Sequence, residues 1–133
     1  MIHFRSIDMH SKKSDILVIH CADPRFQQAY RNIIDSFGAY FDLLVAPGAS
    51  KAVVNDKNFI QKIKLLHRLH HFETVYILDH IECGAFGKIK DEIMSHSSML
   101  NKAVKTIKKA LPKLKVVTHL LGEKGELTLE NKG

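Results

Sequence analysis

Four short apolar runs, each separated from the next by a stretch of helical periodicity, dictate what this chain can fold into. Residues 16–20 (ILVIH), 41–46 (FDLLVA), 74–78 (TVYIL) and 114–121 (LKVVTHLL) are rich in branched side chains and short enough to be buried strands. Pro47-Gly48 closes the second run. Over residues 26–37, Phe26, Tyr30, Ile33, Ile34 and Phe37 recur at helical spacing, and Gly38 stands where such a helix would stop. Phe59, Ile60, Ile63, Leu66 and Leu69 mark a second helix. Met99, Leu100, Ala103, Val104, Ile107 and Leu111 mark a third, capped by Ser97 or Ser98 and ended by Pro112. Residues 122–129 (GEKGELTL) fit a short hairpin at a sheet edge. Strand–helix alternation implies an α/β fold, doubly wound, with a mainly parallel sheet of four or five strands. The 133 residues suit one domain, 1–133. In such sheets functional groups gather beyond the carboxyl ends of the strands.

Both cysteines of the chain fall at such strand ends. Cys21 follows the first run; His80 and Cys83 follow the third. Zinc favours four tetrahedral ligands, and catalytic sites commonly keep three protein ligands and one open position. Cys21, His80 and Cys83 offer a Cys2His set. If the chain stays extended after Cys21, alternation puts Cys21, Asp23 and Arg25 on one side, where the acid and the base can pair beside a metal. Taken singly, these residues have plainer readings as core cysteines, a strand-end histidine and a surface ion pair. Their coincidence at two strand ends argues for a site.

The two motifs, Cys-x-Asp-x-Arg in CADPR (21–25) and His-x-x-Cys-Gly in HIECG (80–84), together resemble those of the β-class carbonic anhydrases. The resemblance runs over roughly residues 15–121 in the order of elements, and its force lies in the two motifs. It implies a four-stranded parallel core and Zn2+ held by Cys21, His80 and Cys83. It also implies an Asp23–Arg25 dyad beside the metal and a carbonate dehydratase, hydrating carbon dioxide reversibly to bicarbonate by metal-hydroxide attack. Gly84 and Gly87 permit close backbone approach after the ligand turn, and N–H groups there could bind a bicarbonate oxygen. A homodimer is implied too, because the family joins sheet edges and exchanges helical arms. The chain departs from the family in three places. APGAS (46–50) stands where members often carry Arg-Asn-Ala-Gly. Only about 15 residues precede the first strand, and the C-terminus is short. Hydrolysis of carbonyl sulfide or carbon disulfide at the same zinc, or a non-catalytic zinc- or bicarbonate-binding role, is the alternative. The APGAS turn is expected near the metal, as the segment after the second strand is in the family.

Composition narrows the partners. No apolar run reaches the about 18 residues of a membrane span. The first 15 residues lack the apolar core of an export signal, so the cytoplasm is expected, where thiols stay reduced. The net charge of +6 comes from 20 Lys+Arg against 14 Asp+Glu. Many of the lysines lie in residues 101–115, where they read as one solvated helix face without interleaved aromatics. No nucleic-acid partner is expected, and the positive field suits steering of a small anion. HRLHH (67–71) places His67 and His71 one helical turn apart, but Arg68 stands where a His-Glu-x-x-His metalloprotease needs Glu. Asp79 reads as an orienter of His80 or as a turn residue. Glu82 reads as a solvated side chain.

Overall fold

In the computed structural model, which describes residues 7, 13–88 and 90–132 (127–132 as backbone), strand β1 (Ile16–His20) is buried along its whole length. A strand covered on both faces of a parallel sheet needs a continuous apolar run, which ILVIH supplies. Strands β2 (Phe41–Val45) and β3 (Thr74–His80) flank it in parallel, and β4 (Lys115–Leu121) lies parallel beyond β3. Strand β5 (Leu127–Lys132) pairs antiparallel with β4, through a turn in which the Gly122 amide donates to the Glu126 carbonyl and the Gly125 amide to the Gly122 carbonyl, as the expected edge hairpin requires. The sheet order is β2-β1-β3-β4-β5.

Helix α1 (Gln27–Phe37) covers one face. Its Tyr30 and Ile34 pack on Ile16, Val18, Leu78 and Leu121. Helices α2 (Ser50–Asn55), α3 (Lys57–His70) and α4 (Glu92–Ala110) cover the other, where Val53, Phe59, Ile63, Leu100 and Ile107 pack on Leu17, Ile19, Val75, Ile77 and Val116. Helices on both faces make the sheet doubly wound. From β1 the chain crosses to β2 on one side, and β3 lies on the other. The carboxyl ends of β1 and β3 therefore border the point where strand order reverses, the place where open α/β sheets form a crevice.

The elements differ from expectation in three ways. Helix α4 starts earlier than Ser97 or Ser98: the Asp91 carboxylate caps it by accepting from the Met94 amide, and both serines lie inside the helix. Aspartate caps as well as serine, and Glu92 in the first turn suits the helix dipole. Helix α2 is too short to show periodicity and was not expected. Strand β3 runs on to His80, because Asp79 and His80 find partners in Leu120 and Leu121. The reading of the N-terminal segment falls mostly on residues outside those described. Among the described residues, no helix is long and apolar enough to cross a membrane.

Candidate metal centre

Strand β1 delivers Cys21 and β3 delivers His80 to adjacent strand ends, and the turn after β3 brings Cys83 back over them. All three are buried, and their ligand atoms lie within 4.8 Å of one another. The two sulfurs are 3.9 Å apart. Two thiolates bound tetrahedrally to one zinc, at about 2.3 Å each, sit about 3.8 Å apart. The His80 Nδ1–H donates to the Ile81 carbonyl at 2.7 Å, which leaves the Nε2 lone pair free, and Nε2 is fully buried without a partner. Buried polar nitrogens are rarely left so. Phe26 stacks on the imidazole at 4.2 Å between centroids and fixes its plane. Two soft sulfurs and one imidazole are a donor set suited to zinc, and the spacing fits that ion. Burial pushes the Cys83 thiol above its ordinary range, so a metal taken up here displaces a proton.

The chain does not stay extended after Cys21. Asp23 caps a single 3₁₀ turn, Pro24–Phe26, and Arg25 folds back over it. The intended pairing survives by this different route. Arg25 Nη2 donates to Asp23 Oδ2 at 2.8 Å, Nε donates to Oδ1 at 3.1 Å, and the Arg25 amide donates to Oδ1 at 2.9 Å. These bonds hold the Asp23 carboxyl at about 2, well below its usual range. Asp23 Oδ2 lies 3.7 Å from His80 Nε2, beyond hydrogen-bond length but beside the ligand cluster. Arg25 Nη2 also donates to the Glu82 carbonyl at 2.9 Å, which ties the first motif to the second. The Glu82 side chain is exposed, and it is the backbone that contributes. Its φ of 53° bends the chain between His80 and Cys83, and its amide donates to the Glu92 carboxylate. Gly84 opens a second 3₁₀ turn, Gly84–Phe86, and a Cβ there would meet nothing within 4 Å.

The APGAS segment lies against the cluster. Pro47 and Gly48 occupy the centre of a turn closed by the Ala49 amide on the Ala46 carbonyl at 3.0 Å, and Gly48 takes φ +83°. That is the type II turn for which Pro-Gly is suited. The Gly48 N–H donates to Cys21 Sγ at 3.4 Å. Asp79 does not orient His80. Alternation along β3 turns it to the opposite sheet face, where it is fully buried. There it accepts from the Ser50 amide at 3.0 Å, the Ser50 hydroxyl at 2.6 Å and His96 Nδ1 at 2.8 Å. Neither Ser50 nor His96 was singled out from the sequence; a lone serine and a lone histidine carry no spacing signal. The HRLHH histidines lie elsewhere: His70 Nδ1 pairs with Asp42 at 2.7 Å, and His67 meets Phe72 edge-on.

Residues 11–129 match the sequence model of a family described as "Putative carbonic anhydrase". An uncharacterized protein of Rickettsia bellii is 35% identical over 130 residues, spanning 85% of this chain and 79% of that protein. A second, of Rickettsia conorii, is 33% identical over the same length, spanning 85% and 70%. Among solved structures, the carbonic anhydrase of Streptococcus mutans superposes with a TM-score of 0.66 at 11% identity, over 92% of this chain and 82% of that one. A β-carbonic anhydrase of Trichomonas vaginalis superposes at 0.67 with 12% identity, over 95% and 86%. At these identities the likeness concerns the fold.

Proposed function

The chain belongs to the carbonic anhydrase family, as a divergent member of its β class, and on that premise we propose that it is a zinc enzyme interconverting carbon dioxide and bicarbonate. The observation that carries this reading is the cluster of Cys21, His80 and Cys83, with a buried, unpartnered imidazole nitrogen and two sulfurs at tetrahedral spacing. Zinc bound there supplies Lewis acidity and a water that ionises near neutral pH.

The rest of the work falls to the chain. Cys21, Cys83 and His80 Nε2 would hold the ion, with Asp23 Oδ2 3.7 Å from His80 Nε2 beside them. Asp23, held ionised by Arg25, would accept a hydrogen bond at Oδ2 from a water or hydroxide at the site and orient it towards carbon dioxide. Arg25 keeps that carboxylate in place with a bidentate grip. The backbone at Gly84 borders open space, which suits an N–H contact to a bicarbonate oxygen. The net charge of +6 raises the local concentration of that anion.

The protein works in the cytoplasm as a single domain that pairs with a second copy. Support for pairing comes from β2, the edge strand of the sheet among the described residues, which leaves Leu43 and Val45 37% and 47% exposed beside a groove of about 300 Å³. Apolar edge strands are normally covered. The test of function is proton release on mixing zinc-loaded protein with carbon dioxide, run beside carbonyl sulfide. Faster release with carbon dioxide is expected. Turnover of carbonyl sulfide alone would reassign the substrate, and no turnover of either would leave a binding protein.

A further inference from the structure

We infer that Asp79, with Ser50 and His96, is a positioning unit for the thiolate side of the metal centre, holding the Gly48 N–H on Cys21 Sγ. The inference rests on the metal reading above and extends it to residues on the opposite face of the sheet.

The geometry forms one continuous path. Asp79 immediately precedes His80 but faces α2 and α4, and it is 2% exposed. Both oxygens are used: Oδ1 accepts from the Ser50 amide, and Oδ2 accepts from the Ser50 hydroxyl and from His96. A carboxylate so deep in a protein is costly unless fully hydrogen-bonded, so this arrangement is rigid. It clamps Ser50, and Ser50 follows Ala49, whose φ of 42° and ψ of −90° lie in a region an L side chain rarely adopts. Such strain persists only where the surroundings over-determine it, and it collects at functional sites. Here Asp79 supplies one anchor and the Pro47-Gly48 turn supplies the other. Between them the Gly48 amide is pinned 3.4 Å from the sulfur of a proposed ligand.

The far side of the turn is closed as well. A Cβ at Gly48 would sit 3.0 Å from the Ala85 Cβ and 3.2 Å from the Lys51 Cβ, so the turn is tightly packed there and its positive φ favours glycine. Lys51 Nζ bonds the Ala85 carbonyl at 2.6 Å, and Phe86 packs on the His96 ring at 4.0 Å. Asp79, Ser50 and His96 thus brace both the turn that touches Cys21 and the loop that carries Cys83. An N–H bond to a thiolate draws charge from sulfur and weakens its donation to a bound metal. Partners of this kind set ligand orientation and metal acidity.

The experiment is NMR on nitrogen-labelled protein loaded with an NMR-active cadmium isotope. In the wild type, the β protons of Cys21 and Cys83 should couple to cadmium, and the Gly48 amide proton should couple to it through the N–H···S bond. In Ser50→Ala and Asp79→Asn the cysteine couplings should persist, while the Gly48 coupling falls at least about two-fold or vanishes. Absence of cysteine–cadmium coupling would refute the metal reading itself. With cysteine couplings present, a silent Gly48 in the wild type overturns the positioning inference. So does a Gly48 coupling unchanged in Ser50→Ala, the milder variant, which keeps the Ser50 amide bond and decides the matter if Asp79→Asn does not fold.

Discussion

Asp23 and Asp79 stand at the two strand ends that build the centre, and they are held in opposite ways. Asp23 follows Cys21, lies near the surface, and owes its position mainly to Arg25, itself exposed. Asp79 precedes His80, is sealed between the sheet and two helices, and is fixed by three bonds from Ser50 and His96. A carboxylate that must meet substrate has to keep a free direction and a replaceable partner. A carboxylate that must hold a frame needs neither. Burial therefore separates the two roles: losing the outer acid should touch chemistry, and losing the inner acid should touch the fold.

That contrast is open to attack at several points. Asp79→Ala strands the Ser50 amide and hydroxyl and the His96 ring in the interior, and a loss of about 3 kcal/mol or more in chemical denaturation is expected. A loss below about 1 kcal/mol would erase the distinction. Asp23→Ala should do the reverse, changing stability by less than about 0.5 kcal/mol, as for an exposed pair. Carbon dioxide hydration should fall about 100-fold in the same variant, the scale of one lost proton-handling group. Gly48→Ala sharpens the picture between the two: positive φ and a 3.0 Å approach to the Ala85 Cβ should cost about 1 kcal/mol, with zinc retained.

The smallest effect is in acid. The folded-state pKa of Asp23, about 2, lies below its ordinary value of 3.8, so its ion pair contributes stability in full above about pH 4. That contribution fades as pH falls towards 2. In metal-free protein, Arg25→Ala should flatten the stability curve in that window, so that the variant is slightly less stable than the wild type at neutral pH and matches it near pH 2.

The architecture was legible because parallel strands buried on both faces must be written as apolar runs, and ILVIH and TVYIL were. The clustering of Cys21, His80 and Cys83 was legible because these residues fall in two short motifs at strand ends. What escaped depended on backbone geometry or on partners far apart in the chain. The 3₁₀ turn at Pro24 replaced the extended segment that alternation assumed. The role of Glu82 resides in its φ and its amide, which no side-chain pattern records. From sequence Asp79 reads as an orienter of His80 or as a turn residue; it is neither, because strand alternation turns the two to opposite faces and pairs Asp79 with residues 29 and 17 positions away.

X-ray absorption at the zinc edge of the purified protein tests the central claim most directly. Two sulfur scatterers at about 2.3 Å and two nitrogen or oxygen scatterers at about 2.0–2.1 Å are predicted, with one zinc per chain. In Cys83→Ser the sulfur shell should shrink to one or the zinc should be lost. A shell of light atoms only, or a spectrum unchanged in Cys83→Ser, would contradict the assignment of the centre to Cys21, His80 and Cys83.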